Sequence, residues 1–264
     1  MANISAKDVA ALRKASGAGM MDAKKALVEN DGDSEAAATW LREQGLAKAA
    51  SRGDRENSQG VVSVAVAEGG AAIVELRCET DFVAKSDNFK AAADGLAAVV
   101  AANGEEALES KATEIEDLRL ALKENIEVGT VVYFDVPEHN LVDYYVHVQN
   151  ERGVNAVLVQ LDGGSTDLAH DIALHVASSR PKYLTRAEVP ADIVAAERET
   201  LENLSRNEGK PEQALPKIVE GRLTGFFKQN TLLEQNFVKD EKTTIEQLLG
   251  PAEIVRFAQV EIGA

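Results

Sequence analysis

The sequence predicts an α+β protein made of several small parts, and three observations support this. Residues 1–50 show only helical periodicity, residues 61–161 contain two groups of β-rich runs, and residues 189–228 are polar and helical. A chain of 264 residues can bury a core without disulfides and can hold a few small domains. Its 45% hydrophobic and 27% charged residues are typical of globular proteins.

The first 50 residues are predicted to form a three-helix module, because apolar residues recur at helical spacing between sets of capping residues. Trp40 is expected in the core of this module. Seven basic and seven acidic residues balance here, so the net charge of −16 lies in the rest of the chain. The residues expected to cap or end these helices are Ser5 with Asp8, Gly17-Ala18-Gly19, Asn30-Asp31-Gly32, Asp33 or Ser34, and Gly45.

The middle of the chain repeats an order of strands followed by helices. Residues 51–60 have no apolar side chain and are predicted to be a linker that tethers the module. The repeated order predicts two related α+β subdomains with antiparallel strands, at 61–125 and 126–180. The first has strands over 61–78 and helices at 87–102 and 112–124; the second has strands at 126–136, 141–149 and 154–161 and a helix at 166–179.

The last part of the chain is predicted to begin with a helical hairpin. Two helical stretches are separated by Gly209-Lys210-Pro211, which gives an antiparallel hairpin within 181–230. Its sparse apolar content indicates that it protrudes into water or packs against another chain. Residues 231–264 are expected to return to the core through a short helix at 242–249 and a strand at 253–262.

Charge and composition argue against several partners. A pI near 4.7 disfavours direct nucleic-acid binding, which depends on clustered Lys and Arg. No run approaches the roughly 20 apolar residues of a membrane span, and the first residues lack a signal-peptide pattern. We therefore expect a cytoplasmic protein with no membrane partner. The single cysteine, Cys78, is expected to be a buried strand residue.

No catalytic pattern stands out in the sequence. Phosphate-binding glycine loops are absent, and the four histidines lack zinc-ligand spacing. We expect a non-enzymatic protein without a cofactor or metal. Two alternatives remain open at this point. The N-terminal module could capture a ubiquitin-like or nascent-chain ligand, or paired carboxylates in a deep pocket could form an enzyme active site.

The segment from Thr80 to Lys85 joins a strand to the next helix and places an aromatic residue between charged ones. One interpretation is structural: Phe82 tucks under the helix while Asp81 or Thr80 caps it. The other is functional: Phe82 protrudes beside a carboxylate as a contact residue. The pattern alone leaves both open.

Three motifs in matching order and spacing resemble the elongation factor Ts family. They are Gly17-Ala18-Gly19-Met20-Met21-Asp22-Ala23-Lys24-Lys25-Ala26-Leu27, Cys78-Glu79-Thr80-Asp81-Phe82-Val83-Ala84-Lys85, and Glu220-Gly221-Arg222. The resemblance covers essentially the whole chain. It implies a ubiquitin-associated-like N-terminal module, a core of two subdomains, a protruding helical hairpin and a short C-terminal element. It also implies a guanine nucleotide exchange factor whose partner is the GTPase elongation factor Tu.

The resemblance further implies which residues meet that partner. Asp81 and Phe82, within Thr80, Asp81, Phe82, Val83, Ala84 and Lys85, would press between partner helices and displace the bound magnesium ion. The N-terminal module would use Arg13, Met20, Met21 and Lys24, and the second subdomain would use His147. Since Met20 and Met21 are adjacent, we expect one of them to be exposed. The family includes monomers and homodimers, and the sequence of the helical hairpin leaves the oligomeric state open.

Overall fold

The computed structural model describes residues 4–50 and 53–263, with side chains 46–50 excepted. The α-helices are α1 (Ala6–Ser16), α2 (Met20–Glu29), α3 (Ser34–Ala50), α4 (Asp81–Ala84), α5 (Asp87–Asn103), α6 (Ala112–Leu122), α7 (Thr166–Ser179), α8 (Ala191–Asn207), α9 (Leu215–Asn230) and α10 (Ile245–Leu249). The strands are β1 (Gln59–Ala67), β2 (Gly70–Cys78), β3 (Glu127–Asp135), β4 (Asn140–Gln149), β5 (Arg152–Asp162), β6 (Asn236–Phe237), β7 (Asp240–Thr244) and β8 (Glu253–Glu261). The predicted α+β class is confirmed.

The N-terminal module is the predicted arrangement of three helices, α1 to α3. The capping box of Ser5 and Asp8 is present, and Asp33 caps α3 by accepting the backbone N–H of Glu35 at 2.9 Å. Trp40 is only partly buried, with Lys25 Nζ 5.7 Å from its ring centroid. The core side chains are Val9, Leu12, Ala23, Ala26, Leu27 and Ala37.

The prediction that Gly45 ends the third helix was wrong. Helix α3 continues to Ala50, and Gly45 lies against α6 of the next unit. A Cβ at Gly45 would lie 2.7 Å from Leu120 Cδ2, so the glycine permits a close approach of two helices. Arg42 and Asp117 are 3.9 Å apart across the same contact. Gly45 therefore allows the two helices to pack closely and does not end α3.

The predicted linker is shorter than 51–60. Residues 51 and 52 lie outside the described residues, and Gln59 and Gly60 already belong to β1. The Asn125 side-chain amide donates to the carbonyl oxygens of Gly53 at 3.2 Å and Arg55 at 2.8 Å. This part of the chain is therefore held against the core by hydrogen bonds that its polar composition did not indicate.

The core contains two three-stranded antiparallel sheets, in the orders β1-β2-β3 and β4-β5-β8. The first sheet corrects the predicted grouping, because β3 pairs with β2 and not with β4. Val131 and Tyr133 of β3 pack with the helical layer of the first sheet, while Val132 and Phe134 face the second sheet. Strand β3 therefore contributes side chains to both faces of the first sheet.

The two sheets pack face to face, and each carries helices on its outer face. The residues between the sheets include Val62, Ile73 and Leu158. Helices α5 and α6 cover the first sheet around Phe89, and α7 and α10 cover the second around Ile172. This layering leaves the strand ends and the short connections between strands and helices at the rim, where contact residues can be exposed.

The C-terminal part contains the predicted helical hairpin, in which α8 packs on α9. Val189, Leu223 and Phe227 form its small buried cluster, and Arg198 pairs with Glu220 across the two helices. The helix expected at 242–249 is shorter, because the chain is strand β7 up to Thr244, which caps α10. Strand β8 then joins the second sheet beside β5.

Candidate functional site

The candidate site is the contact turn, which we define as Thr80 to Lys85. It lies where β2 ends at Cys78 and before α5 begins at Asp87. Thr80 has extended backbone angles, and its side-chain oxygen accepts the backbone N–H of Val83 at 3.3 Å. Thr80 is therefore the N-cap of the one-turn helix α4, as its position before a helical segment allowed.

The contact turn points its residues in two directions. Ala84 is fully buried and Val83 packs on the core of the first sheet, whereas 82% of the Phe82 surface is exposed. The interpretation in which Phe82 tucks under the next helix is thus wrong. Within one helical turn, Val83 and Ala84 take the inward positions, so Phe82 is directed to solvent. The exposed aromatic side chain on a short surface turn makes Phe82 a candidate contact residue.

Asp81 is held in place by a local ion pair. Its carboxylate lies 2.5 Å from Lys85 Nζ, one helical turn along the chain, and both side chains remain partly exposed. The hydrogen bond from Lys85 lowers the pKa of Asp81, and the positive charges of Lys85 and Arg152 lower it further. Asp81 therefore stays negatively charged next to the exposed Phe82.

The contact turn is joined to a second segment, the loop after α6. Glu124 accepts the backbone N–H groups of Glu79 at 3.0 Å and Thr80 at 3.1 Å, and the Thr80 hydroxyl at 2.5 Å. In return, the Glu79 carboxylate accepts the backbone N–H of Asn125 at 2.7 Å. Sequence reasoning did not connect Glu124 and Asn125 with the contact turn, because a pairing across more than 40 positions leaves no local signal.

Cys78 precedes the contact turn as a buried residue, as expected. Its thiol lies 3.2 Å from the Thr80 carbonyl oxygen, and burial together with Glu124 raises its pKa to about 12. The thiol is therefore neutral. In the described part of the chain, no group of three or more His, Cys, Asp or Glu side chains could hold a metal ion. No helix there is long and apolar enough to span a membrane.

The N-terminal face, which we define as Arg13, Met20, Met21 and Lys24, is exposed. Met20 is 50% exposed and Met21 is 74% exposed, so both methionines face solvent where the sequence led us to expect one. The reason is that Ala23, Ala26 and Leu27 fill the inward positions of α2, which leaves no core space for a methionine at its start. Arg13 lies in the last turn of α1, which is joined to α2 by three residues.

His147 lies on the second sheet, whereas the contact turn follows strand β2 of the first sheet. It is exposed on strand β4, and its Nδ1 is 3.3 Å from the Tyr145 hydroxyl. The Tyr145 ring also packs edge-on to His170, whose Nδ1 is 2.9 Å from Asp143. His147 is thus an accessible end of a small aromatic and polar group on this strand.

The fold and these residues define an α+β protein that exposes apolar, charged and polar side chains on separate elements. The family model for elongation factor TS matches residues 79–264, which is more than half of the chain. The chain is 46% identical over 276 residues to elongation factor Ts of Clavibacter michiganensis subsp. michiganensis, covering 100% of both chains. It is 48% identical over 279 residues to that of a Nocardioides species, again covering 100% of both.

A more distant relative is elongation factor Ts of Deinococcus deserti, which is 40% identical over 264 residues and covers 96% of this chain and 97% of its own. The chain therefore belongs to the elongation factor Ts family. The members of this family are translation elongation factors that act as nucleotide exchange factors for elongation factor Tu.

Proposed function

We propose that this protein binds the GDP-bound form of elongation factor Tu, displaces its magnesium ion and so promotes GDP release in the cytoplasm. The observation that carries the proposal is the contact turn, where Phe82 is 82% exposed on a turn whose neighbouring residues are buried or hydrogen-bonded. Membership of the elongation factor Ts family supports elongation factor Tu as the partner. The turn supplies an apolar side chain and a carboxylate that can act on the partner's nucleotide site.

The physical basis of the exchange is electrostatic. A GTPase holds GDP through phosphate contacts and a magnesium ion, and loss of that ion leaves clustered negative charge uncompensated. Phe82 would shift a packed element of the partner between discrete arrangements. The negatively charged Asp81 beside it would disfavour the original arrangement around the phosphates and ion. The nucleotide would then dissociate faster without any covalent bond being made or broken.

The energy for this displacement has to come from other contacts. The N-terminal face supplies exposed Met20 and Met21 flanked by the positive side chains of Arg13 and Lys24. His147 on the second sheet would add a further contact with another partner domain. Because binding free energies are linked, nucleotide must weaken the factor by the same ratio as the factor weakens nucleotide. Rebinding of nucleotide then releases the factor.

The test is a nucleotide release assay. Elongation factor Tu is loaded with a fluorescent GDP analogue, mixed with this protein and excess unlabelled GDP, and followed by stopped-flow fluorescence. We expect release to accelerate with the concentration of this protein and to reach a plateau. A release rate that is independent of the concentration of this protein would rule the proposal out.

A further inference from the structure

We propose that Glu124 is a positioning residue for the contact turn, whose carboxylate fixes the direction in which Phe82 is presented. This inference rests on the proposed exchange function, because it concerns how the turn delivers its effect to the partner. Glu124 itself is only partly exposed and lies near the start of the loop between α6 and β3.

The hydrogen bonds of Glu124 orient the Thr80 hydroxyl, which is the N-cap of α4. Its Oε1 accepts a hydrogen bond from the Thr80 hydroxyl, with the two oxygen atoms 2.5 Å apart, so the only proton of that hydroxyl is not available to α4. The lone pairs of the Thr80 oxygen are thereby left for the backbone N–H of Val83, 3.3 Å away. Meanwhile Oε2 accepts the backbone N–H groups of Glu79 and Thr80. One carboxylate thus fixes both the chain entering the turn and the hydroxyl that caps it.

The loop that carries Glu124 is itself held firmly. Asn125 is buried, donates its backbone N–H to Glu79 and donates its side-chain amide to Gly53 and Arg55. On the other side, Arg119 donates to the Ile126 carbonyl oxygen at 2.6 Å. Glu124 therefore acts from a fixed loop and not from a mobile surface position, which is what a positioning residue requires.

The contact turn needs such support because it has little of its own. Helix α4 contains four residues, and a single turn is unstable in isolation. Ala84 and Val83 anchor its end to the core, but the start of the turn depends on hydrogen bonds. When Phe82 contacts a partner, a turn that is free to bend would itself move, and the packed element of the partner would keep its position. A turn that is fixed at Thr80 keeps its position, so the partner's element has to move instead.

The experiment measures the rate of fluorescent GDP release against factor concentration for Glu124→Ala and Glu124→Gln, each in the wild-type and Phe82→Ala backgrounds. For Glu124→Ala we expect the plateau rate to fall about tenfold while the half-saturating concentration changes less than about twofold. Glu124→Gln should recover part of the rate, because it keeps one acceptor oxygen. In the Phe82→Ala background, Glu124→Ala should cause no further loss, because Glu124 acts through Phe82.

The matched control is Glu138→Ala, which removes an exposed glutamate from the connection between β3 and β4 and should keep the wild-type rate. Circular dichroism and thermal unfolding of each variant establish that the fold is intact; Glu124→Gln gives the test if Glu124→Ala does not fold. A wild-type plateau rate in both Glu124 variants would overturn this inference and leave the exchange function standing. The inference would also be overturned if Glu124→Ala lowered the plateau rate by the same factor in the Phe82→Ala background as in the wild-type background. Failure of the wild-type protein to accelerate release would instead reject the proposed function.

Discussion

The contact turn and the N-terminal face both expose apolar side chains, but the two regions are built differently. Phe82 extends from a turn whose start is fixed by Glu124 and whose end is buried in the core of the first sheet. Met20 and Met21 lie at the start of α2, where Gly19 makes no side-chain capping bond. Among the described residues of that module, the buried core side chains are small or medium in size, such as Leu27, and the larger Trp40 packs against them while partly exposed.

This difference indicates a division of roles between the two regions. Methionine is flexible and adapts to an irregular partner surface, so the N-terminal face suits adhesion. A rigid aromatic side chain on a fixed turn suits a displacement, because the force on it is not lost in bending. We therefore expect changes in the N-terminal face to alter affinity, and changes in the contact turn to alter the rate of nucleotide release once the complex has formed.

The largest effect is expected from Phe82→Ala. Removing the aromatic ring should lower the plateau rate of fluorescent GDP release by about 30-fold or more, which corresponds to a hot-spot loss of about 2 kcal/mol or more. The half-saturating concentration should change far less, because the rest of the interface persists. Since Phe82 is mostly exposed, the free energy of unfolding should stay within about 0.5 kcal/mol of the wild-type value.

The matched control for this variant is Val255→Ala, which trims an exposed apolar side chain on β8 of the second sheet. It should leave both the plateau rate and the half-saturating concentration unchanged. If Phe82→Ala weakened affinity alone, Phe82 would be an adhesive residue like the methionines, and the proposed division between the two regions would fail.

The next effect is expected from the double variant Met20→Ala, Met21→Ala. Loss of two exposed apolar contacts should raise the half-saturating concentration by about tenfold, which corresponds to about 0.7 kcal/mol for each side chain. The plateau rate should remain close to that of the wild-type protein. The same stopped-flow titration measures both quantities. A lower plateau with unchanged half-saturation would reverse the assigned roles.

A pH series compares the stability of the module with that of the core. His175 is fully buried, accepts the backbone N–H of Val238 and lies 2.9 Å from the Gln235 side-chain oxygen. Burial lowers the pKa of His175, against an opposing effect of the Gln235 hydrogen bond. Below the ordinary histidine pKa of about 6.5, the unfolded chain binds a proton that the folded chain does not. Stability should then fall as pH falls.

We expect the core to lose up to about 1.4 kcal/mol per pH unit below about pH 6.5, until the lowered pKa of folded His175 is reached. The first 50 residues contain no histidine, so the module should show no such loss. Amide hydrogen exchange at pH 7.5 and pH 5.5, read separately for the two regions, measures this. His175→Gln should remove most of the pH dependence of the core. An equal loss in the module would show that the two regions do not unfold separately.

The smallest effect is expected from Lys85→Ala. The ion pair with Asp81 is partly exposed, and exposed pairs contribute little. The plateau rate of GDP release should change by no more than about fivefold, and the difference from wild type should shrink at high salt because exposed charges are screened. A loss as large as that of Phe82→Ala would mean that the charge arrangement, and not the aromatic ring, dominates the turn.

Much of the fold could be predicted from local patterns. The capping box at Ser5 marked the start of α1, and alternating valines such as Val62 and Val64 marked β1. What local patterns could not give was pairing over distance. Strand β3 looked like the start of a new group and instead completes the first sheet, and Gly45 looked like a helix end although it packs against Leu120.

The candidate site was predictable in position but not in orientation. Thr80 could be recognised as a possible cap, yet nothing in the six-residue segment decides whether Phe82 points inward or outward. That direction depends on which neighbours fill the core and on Glu124, which lies 44 residues away in the chain from Thr80. Burial and long-range hydrogen bonds decide it, and neither has a local signature.

The central claim is that Phe82 acts on the magnesium ion of the partner, and one measurement tests it most directly. Release of fluorescent GDP from elongation factor Tu is followed at saturating wild-type protein and at saturating Phe82→Ala, once with excess Mg²⁺ and once with EDTA. We predict that the wild-type protein is much faster than Phe82→Ala in Mg²⁺ and that the ratio of the two rates falls toward one in EDTA. The same ratio in both solutions would contradict the claim.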